Sequence, residues 1–200
     1  MTLTEDAVKP TQRERSIPIL ETERLMLRAP RHEDAKAIAR VVNDRRITEN
    51  TSRIPHPYGL DDAKEFIGAV NRRDGEAAFI ILFEGRLIGG CGVDPREDGP
   101  EIGYWLGVPH WGKGYATEAA RAVIDFAFSD LGREVLHAGA RVSNPASRRV
   151  LEKCGFQWTG VRLIRIRAIN SAAPADRFRL DRRLWASLKS WGRDQRSVGH

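Results

Sequence analysis

Only two cysteines occur in the 200 residues, Cys91 and Cys154, and they stand far apart. That spacing excludes a disulfide framework and a cysteine metal knuckle, and it fits a reducing cytosol. Histidine is scarce as well: His32, His56, His110 and His137 show no metal spacing, and His200 is terminal. Long apolar runs are missing. The longest, such as AAFIILF, fall well short of the ~20 residues of a membrane span, and the opening MTLTEDAVKPTQRER is polar, without an apolar signal core. No internal repeat or low-complexity tract appears. Around HWGKGYATEA there is no GK[ST], which removes a P-loop, and no GxGxxG, because Thr117 stands where its third glycine would fall.

With 41% hydrophobic and 30% charged residues, the chain has the make-up of one globular domain with a two- or three-layer core. Residues 1–18 lack periodicity and read as a loosely ordered arm. The domain is expected over 19–192, with a short tail at 193–200. A net charge of +6 favours anionic partners without choosing among nucleic acid, acidic protein and a phosphorylated cofactor.

Leu25 and Leu27 alternate with Arg24, Met26 and Arg28, as a strand does. Ala35, Ile38, Ala39 and Val42 then follow at helical spacing behind Glu33 and Asp34. The segment Arg45 to Gly59 holds two prolines and no sustained period, so it reads as a long irregular connection. LDDAKEFIGAV is a second helix with Asp61 as N-cap. AAFIILF, RLIGGCGV and PEIGYWLGV, joined by short turns, form an antiparallel meander. The period then changes to 3.6 through YATEAARAVIDFAFSDLG. A long crossover helix at that point demands that EVLHAGARV pair in parallel with the meander. Asn144-Pro145 opens the helix PASRRVLEKC, and Gly155 closes it. FQWTGVRLIRIRAI is a strand, NSAAPADR a loop, and FRLDRRLWASLKSW a last strand and terminal helix. This order gives a mixed sheet covered by helices, in the α+β or α/β range.

Gly112 and Gly114 stand where the meander gives way to the long helix. A helix start leaves backbone N–H groups without acceptors and carries partial positive charge, so glycines there let an anion such as pyrophosphate come close. Lys113, Arg148, Arg149 and Lys153 can add charge. The competing reading is that the glycines only shape a strand-to-helix turn.

GYWLGVPHWGKGYATEA resembles the acyl-CoA-binding motif of the GNAT superfamily of N-acetyltransferases, in particular its RimJ/RimL-type ribosomal-protein branch. ETERLMLR is similar to that branch's opening strand, HPYGLDDAKEFI to its second helix, and NPASRRVLEKCGF to its second CoA-side motif. The resemblance covers Glu21 to Ile166. It implies a mixed, mostly antiparallel sheet of about seven strands flanked by helices, and acetyl-CoA as co-substrate, without a metal. It implies that the N–H groups of Gly112, Lys113, Gly114, Tyr115, Ala116 and Thr117 hold the pyrophosphate. Backbone groups of Leu106 and Val108 then run beside the pantetheine arm in a splayed strand, and Asn144 contacts the arm while capping its helix. Glu101 stands where the superfamily often carries a general base, and Ser147 where the branch places a serine that protonates the leaving thiolate. Read as residues alone, Glu101 is equally an exposed strand start and Ser147 a first-turn helix serine, with Asp94 a second candidate base. Tyr104 and Trp105 either wall the acceptor cleft or join the core, and Cys154 reads as a buried structural thiol.

Two departures stand out. Trp111 occupies the position where the superfamily pattern has Gln or Arg, and AINSAAPADRFRLDRRLW lacks the Gly-Asp-Tyr-rich ending of the branch. The second leaves the acceptor open among a protein N-terminus, a lysine, a polyamine, an antibiotic amine and a small metabolite. The expectation is therefore a cytoplasmic acetyl-CoA-dependent N-acetyltransferase acting on a primary amine, with a homodimer left open because dimers occur in the branch. A non-catalytic acyl-CoA-binding module is the alternative. A nucleic-acid-binding domain is a third reading, carried only by scattered arginines in RRITENTSR, RVSNPASRR, RLIRIR and RFRLDRR.

Overall fold

Leu25 and Leu27 are buried while Met26 between them faces outward, so the expected alternation is real. The computed structural model describes residues 17–72 and 77–197. Most of the expected N-terminal arm, residues 1–16, and residues 198–200 of the expected tail lie outside the described residues.

The chain runs β1 (Leu20–Glu21), β2 (Leu25–Arg28), α1 (Ala35–Val42), α2 (Arg45–Thr48) and α3 (Leu60–Asn71) before the meander β3 (Ala77–Phe83), β4 (Arg86–Asp94) and β5 (Glu101–Leu106). Then come α4 (Tyr115–Ser129), β6 (Val135–Arg141), α5 (Pro145–Lys153), β7 (Gln157–Ile166), β8 (Ser171–Asp181) and α6 (Arg182–Ser197). Eight strands form one sheet in the order β1-β2-β3-β4-β5-β6-β8-β7. The strand beyond the expected seven is the two-residue β1, paired with β2. Every neighbouring pair is antiparallel except β5 and β6, which the α4 crossover forces to run parallel.

Helices cover both faces. On one, Ile102 and Leu106 of β5, Leu136 and Ala138 of β6 and Phe178 of β8 pack with Ala119, Ala120 and Val123 of α4. The small residues of α4 bring its axis close to the sheet, and each fully buried large apolar side chain contributes about 1.5–3 kcal/mol. On the other face Ile38, Val42 and Ile67 of α1 and α3 pack on Ile80, with Trp105 at the margin.

Three expectations need correction. Inside the supposedly irregular stretch 45–59 the short α2 forms, because the Asp44 carboxylate accepts the Arg46 N–H at 2.9 Å as a cap. The cap of α3 is Gly59 rather than Asp61, and Asp62 reaches back to accept the Gly59 N–H at 2.9 Å. NSAAPADR is not a loop: from Ser171 onward it belongs to β8, Pro174 included. Its missing N–H faces the β6 side, where the register ends at Arg141↔Ala175 and the Pro174 carbonyl still accepts from Val142 at 3.1 Å.

The parallel pair is short. Only Glu101↔His137 and Ile102↔Ala138 are in register, although β5 continues to Leu106 and β6 to Arg141, so the two strands open into a V. Beside it the β3–β4 register slips after Ile81, and the Ile88 carbonyl accepts the Gly107 N–H at 2.8 Å.

The shape of β5 depends on Gly89 of β4, where an added Cβ would lie 2.3 Å from the Trp105 carbonyl oxygen and 2.6 Å from Leu106 Cδ2. Gly89→Ala is expected to cost about 1–3 kcal/mol in urea or thermal unfolding. Gly103→Ala, whose methyl meets open space, is expected to leave the midpoint in place. Equal midpoints for the two variants would contradict this close approach.

Candidate functional site

At the open end of the V the chain makes a one-turn 3₁₀ segment, Val108–His110, and then reaches the glycine pair. Gly112 and Gly114 have φ of +74° and +83°, the left-handed region where a side chain is strained, and nothing stands within 4 Å of a Cβ placed on Gly112. Gly114 is the N-cap of α4, whose first intrahelical bond is Glu118 N–H to the Gly114 carbonyl at 3.1 Å. The N–H groups of Gly114, Tyr115, Ala116 and Thr117 therefore have no intrahelical acceptor at the positive end of a 15-residue helix. Lys113 is exposed beside them. Burial, followed by the Lys113 charge, holds the His110 imidazole below its ordinary range.

Residues not singled out from the sequence fasten this turn. Glu118 accepts from Thr22 Oγ1 at 2.7 Å, from Arg24 N at 2.8 Å and from Arg24 Nε at 2.8 Å. Arg24 also donates Nη1 to the Lys113 carbonyl at 3.2 Å and lies 4.7 Å over the Tyr115 ring. One arginine thus turns a carbonyl of the loop towards itself and leaves the N–H groups to face outward. The Tyr115 ring is buried against Phe83, with centroids 5.0 Å apart. Trp111 is a second brace: its Nε1 donates to the Leu106 carbonyl at 2.7 Å, and its N–H to the Val108 carbonyl at 3.2 Å. The departure from Gln or Arg at that position therefore has a structural role, which ties the turn to the end of β5. Val108 lies past the strand, in the 3₁₀ turn. No local pattern joins Arg24 to Glu118, 94 positions away, so the sequence carries no signal for this lock.

Ser147 and Asn144 come together at the start of α5. Asn144 is the N-cap, its Oδ1 accepting the Ser147 N–H at 3.1 Å. Ser147 Oγ lies 2.9 Å from the Tyr104 hydroxyl, and that hydroxyl also stands 3.0 Å from the Ser147 carbonyl. Tyr104 thus links β5 to α5 at the open V, and burial pushes its phenol up, so it stays protonated. Cys154 lies behind, its thiol 3.9 Å from the Thr117 carbonyl. Burial pushes that thiol up to about 11, which leaves it a poor nucleophile.

Glu101 and Tyr104 are three residues apart on one strand, so they face opposite sides of the sheet. Glu101 sits at the closed end of the V, its Oε2 taking Arg177 Nη2 at 2.6 Å and its Oε1 lying 3.8 Å from Arg96 Nε. Arg177 passes over Gly139 to get there: a Cβ at position 139 would lie 2.7 Å from its Nη1. Asp94, the register partner of Glu101 on β4, is paired with Arg53. Burial and the charges of Arg177 and Arg179 hold the His137 imidazole low, and so neutral. The expected acid and base therefore lie on opposite faces of the open strands, and the expected anion cradle at their open end. Among the described residues no cluster of three potential metal ligands occurs, and no helix is long and apolar enough to cross a membrane.

Comparison with known proteins bears on the fold and the family. Residues 24–157 match the family model described as an acetyltransferase (GNAT) domain. The chain is 33% identical over 150 residues to the uncharacterised N-acetyltransferase p20 of Bacillus licheniformis, covering 71% of this chain and 84% of that protein. It is 39% identical over 83 residues to the ribosomal-protein-serine acetyltransferase of Escherichia coli, covering 39% of this chain and 45% of that one. Its fold superposes on RimJ of Mycobacterium smegmatis, solved in complex with CoA-disulfide, with a TM-score of 0.73 and 19% identity over 88% of this chain and 94% of that one.

The lock on the glycine turn has a pH signature. Burial alone would raise the Glu118 carboxyl, but hydrogen bonds from Thr22 and Arg24 outweigh it and hold the group below its ordinary range. Its stabilising contribution is complete above the unfolded-state value near ~4.3 and is lost as pH falls through the folded value. Glu118→Gln is expected to lower the thermal midpoint at neutral pH, with the gap to wild type closing in acid. A gap that does not change with pH would mean that Glu118 acts through packing alone.

Proposed function

The chain belongs to the GNAT acetyltransferase family and is an acyltransferase, and on that premise we propose that it transfers an acetyl group from acetyl-CoA to a primary amine by direct attack within a ternary complex. The observation that carries this reading is the pairing of two features: a helix start with free N–H groups, and a parallel strand pair that opens into a V beside it.

The residues fit acetyl-CoA, which when bound supplies an activated thioester and a thiol leaving group. Gly112, Lys113, Gly114, Tyr115, Ala116 and Thr117 receive the pyrophosphate on main-chain N–H groups, and the bare Cα of Gly112 leaves room for it. Beyond Ile102, β5 has lost its β6 partner, so N–H groups on that edge are free to bond an acyl-linked arm and to stabilise an oxyanion. Leu106 and Val108 border this stretch, and Asn144 caps the helix that brings Ser147 to Tyr104 of the same strand.

The amine must lose a proton before or as it attacks, since free amines have pKa values of about 8 to 10. Glu101 accepts that proton directly or through water, its carboxylate fixed in place by Arg177. As the new C–N bond forms and the C–S bond breaks, Ser147 Oγ donates its proton to the departing sulfur and recovers one from solvent, while the Tyr104 hydroxyl at 2.9 Å holds the serine in place. The base works from one face and the acid from the other. The high thiol of Cys154 agrees with direct attack rather than an acyl-cysteine.

We place the chain in the RimJ/RimL-type branch on the strength of NPASRRVLEKCGF and its partial likeness to the Escherichia coli enzyme. That likeness supports the donor side. The residues from Ala168 to Arg183 depart from the branch, so the acceptor is not inherited with it.

Gly114→Asp is expected to abolish acetyl-CoA binding in calorimetry while leaving the folded spectrum intact. Ser147→Ala is expected to lower kcat by about 10²-fold or more without weakening acetyl-CoA binding, as read by thiol release with an amine panel. Retained affinity in Gly114→Asp would remove the cradle. Acetyl-CoA binding by wild type without thiol release for any amine would favour a non-catalytic acyl-CoA-binding module.

A further inference from the structure

The amine enters the V from the face opposite Tyr104 and Ser147: α4 and α5 cover the other side, whereas on this face α1 and α3 pack on β3, β4 and Trp105, with no β6 or β8 residue in their cluster. Alternation puts Glu101, Gly103 and Trp105 of β5, and His137, Gly139 and Arg141 of β6, on that entry face. Two of these are glycines: a Cβ on Gly103 meets nothing within 4 Å, so the β5 side of the floor is bare main chain, while the Arg177 guanidinium lies over Gly139 on the β6 side.

The charges around that floor do not balance. Asp94 and Glu101 stand side by side, and they are engaged by Arg53, Arg96 and Arg177. Arg141 makes a fourth guanidinium, and no described carboxylate lies within ion-pair distance of it. Its Nη1 donates to the main-chain carbonyl of Glu49 at 2.7 Å, so the side chain spans the mouth of the V from β6 to the loop after α2. Its Nε is buried with no hydrogen-bond partner. The same loop meets the end of β7, where the Arg167 N–H donates to the Ser52 carbonyl at 3.1 Å. The entry is therefore walled by loop and hairpin and has more guanidinium than carboxylate.

A half-buried guanidinium that spends one of five N–H groups on a single carbonyl is a fork left open for an oxyanion. The surplus positive charge also repels an acceptor carrying several ammonium groups. We propose that the acceptor is a small amine that also bears an oxyanion, a carboxylate or a phosphate, and that Arg141 binds this oxyanion while Glu101 receives the proton of the attacking nitrogen. Arg141 lies four residues along β6 from His137, the partner of Glu101, which is roughly 13 Å of strand. The amine then sits between the two, over Gly103 and beside the Arg177 guanidinium that covers Gly139. Arg141 in this role determines specificity and takes no part in bond making. The assignment rests on the transferase reading given above.

The test is a matched set of amines with one short carbon chain ending in a carboxylate, a phosphate, a carboxamide or a second ammonium, assayed by thiol release from acetyl-CoA. Wild type is expected to use one or both oxyanion-bearing amines with kcat/KM about tenfold or more above the carboxamide, with the diamine lowest. The carboxylate and phosphate arms tell the two sources apart. Arg141→Gln is expected to bring that ratio close to one and Arg141→Lys to keep part of it, both with unchanged KM for acetyl-CoA. Thermal midpoints check that the tie to Glu49 is not what is being read. A wild type that handles the carboxamide as well as the carboxylate and the phosphate, that uses none of the set while binding acetyl-CoA, or whose preference survives Arg141→Gln overturns the oxyanion assignment alone. Failure of wild type to bind acetyl-CoA overturns the transferase reading instead.

Discussion

A strand reached from the meander through a long helix has to run parallel to its neighbour, and β5 and β6 keep that contact only from Glu101 to Ile102. Everything else about the site depends on this short pairing. Because the strands part after two residues, β5 presents main-chain groups to a gap instead of to a neighbour. The crossover that makes the pair parallel also sets the start of α4 at the mouth of the gap, with Gly114 as its cap. α5, which follows β6, brings Ser147 to the same opening and within 2.9 Å of Tyr104. The bulged register of β4 and the bare Gly89 let β5 lie close against the rest of the sheet while its other edge stays open.

Much of this was legible in the residues. Period switches located the meander, the long helix and the parallel strand, and Asn144-Pro145 announced a cap that the structure has. The glycine pair and the later Asn and Ser were readable because their spacing is local. What could not be read depends on contacts between distant segments. The hold of Arg24 on Glu118 joins the second strand to α4, and in sequence Arg24 is only the polar partner in an alternating strand. NSAAPADR looked like a loop because proline ordinarily ends a strand. It continues β8 because the β6 ladder stops one residue short of Pro174. Asp61 looked like a cap, but Gly59 and Asp62 formed one between them. Near a helix start, neighbouring acidic residues compete, and one-residue differences in where the backbone turns decide which succeeds.

The proposed donor and acceptor sides differ in how they are made. The donor side is mostly main chain, held by Trp111, Arg24 and Tyr115, so its specificity lies in backbone geometry that many side chains could support. The acceptor side is made of side chains on bare strand: Glu101 and Arg177 across Gly139, Asp94 with Arg53, and Arg141 spanning to Glu49. That division explains why the donor motif stands out in the sequence while the acceptor wall is scattered across four separate segments.

The passage of Arg177 over Gly139 also limits how this protein can change by descent. A Cβ at 139 would lie 2.7 Å from Arg177 Nη1, the far end of a flexible side chain that can swing aside, so a substitution there fits but displaces the guanidinium that holds Glu101. Shortening 177 first leaves Glu101 with Arg96 at 3.8 Å as its remaining described ion-pair partner. Either single step loosens the hold on Glu101, so residues 101, 139 and 177 work together. A lineage that placed a side chain at 139 would pass through a form in which the proposed base is less firmly fixed by Arg177.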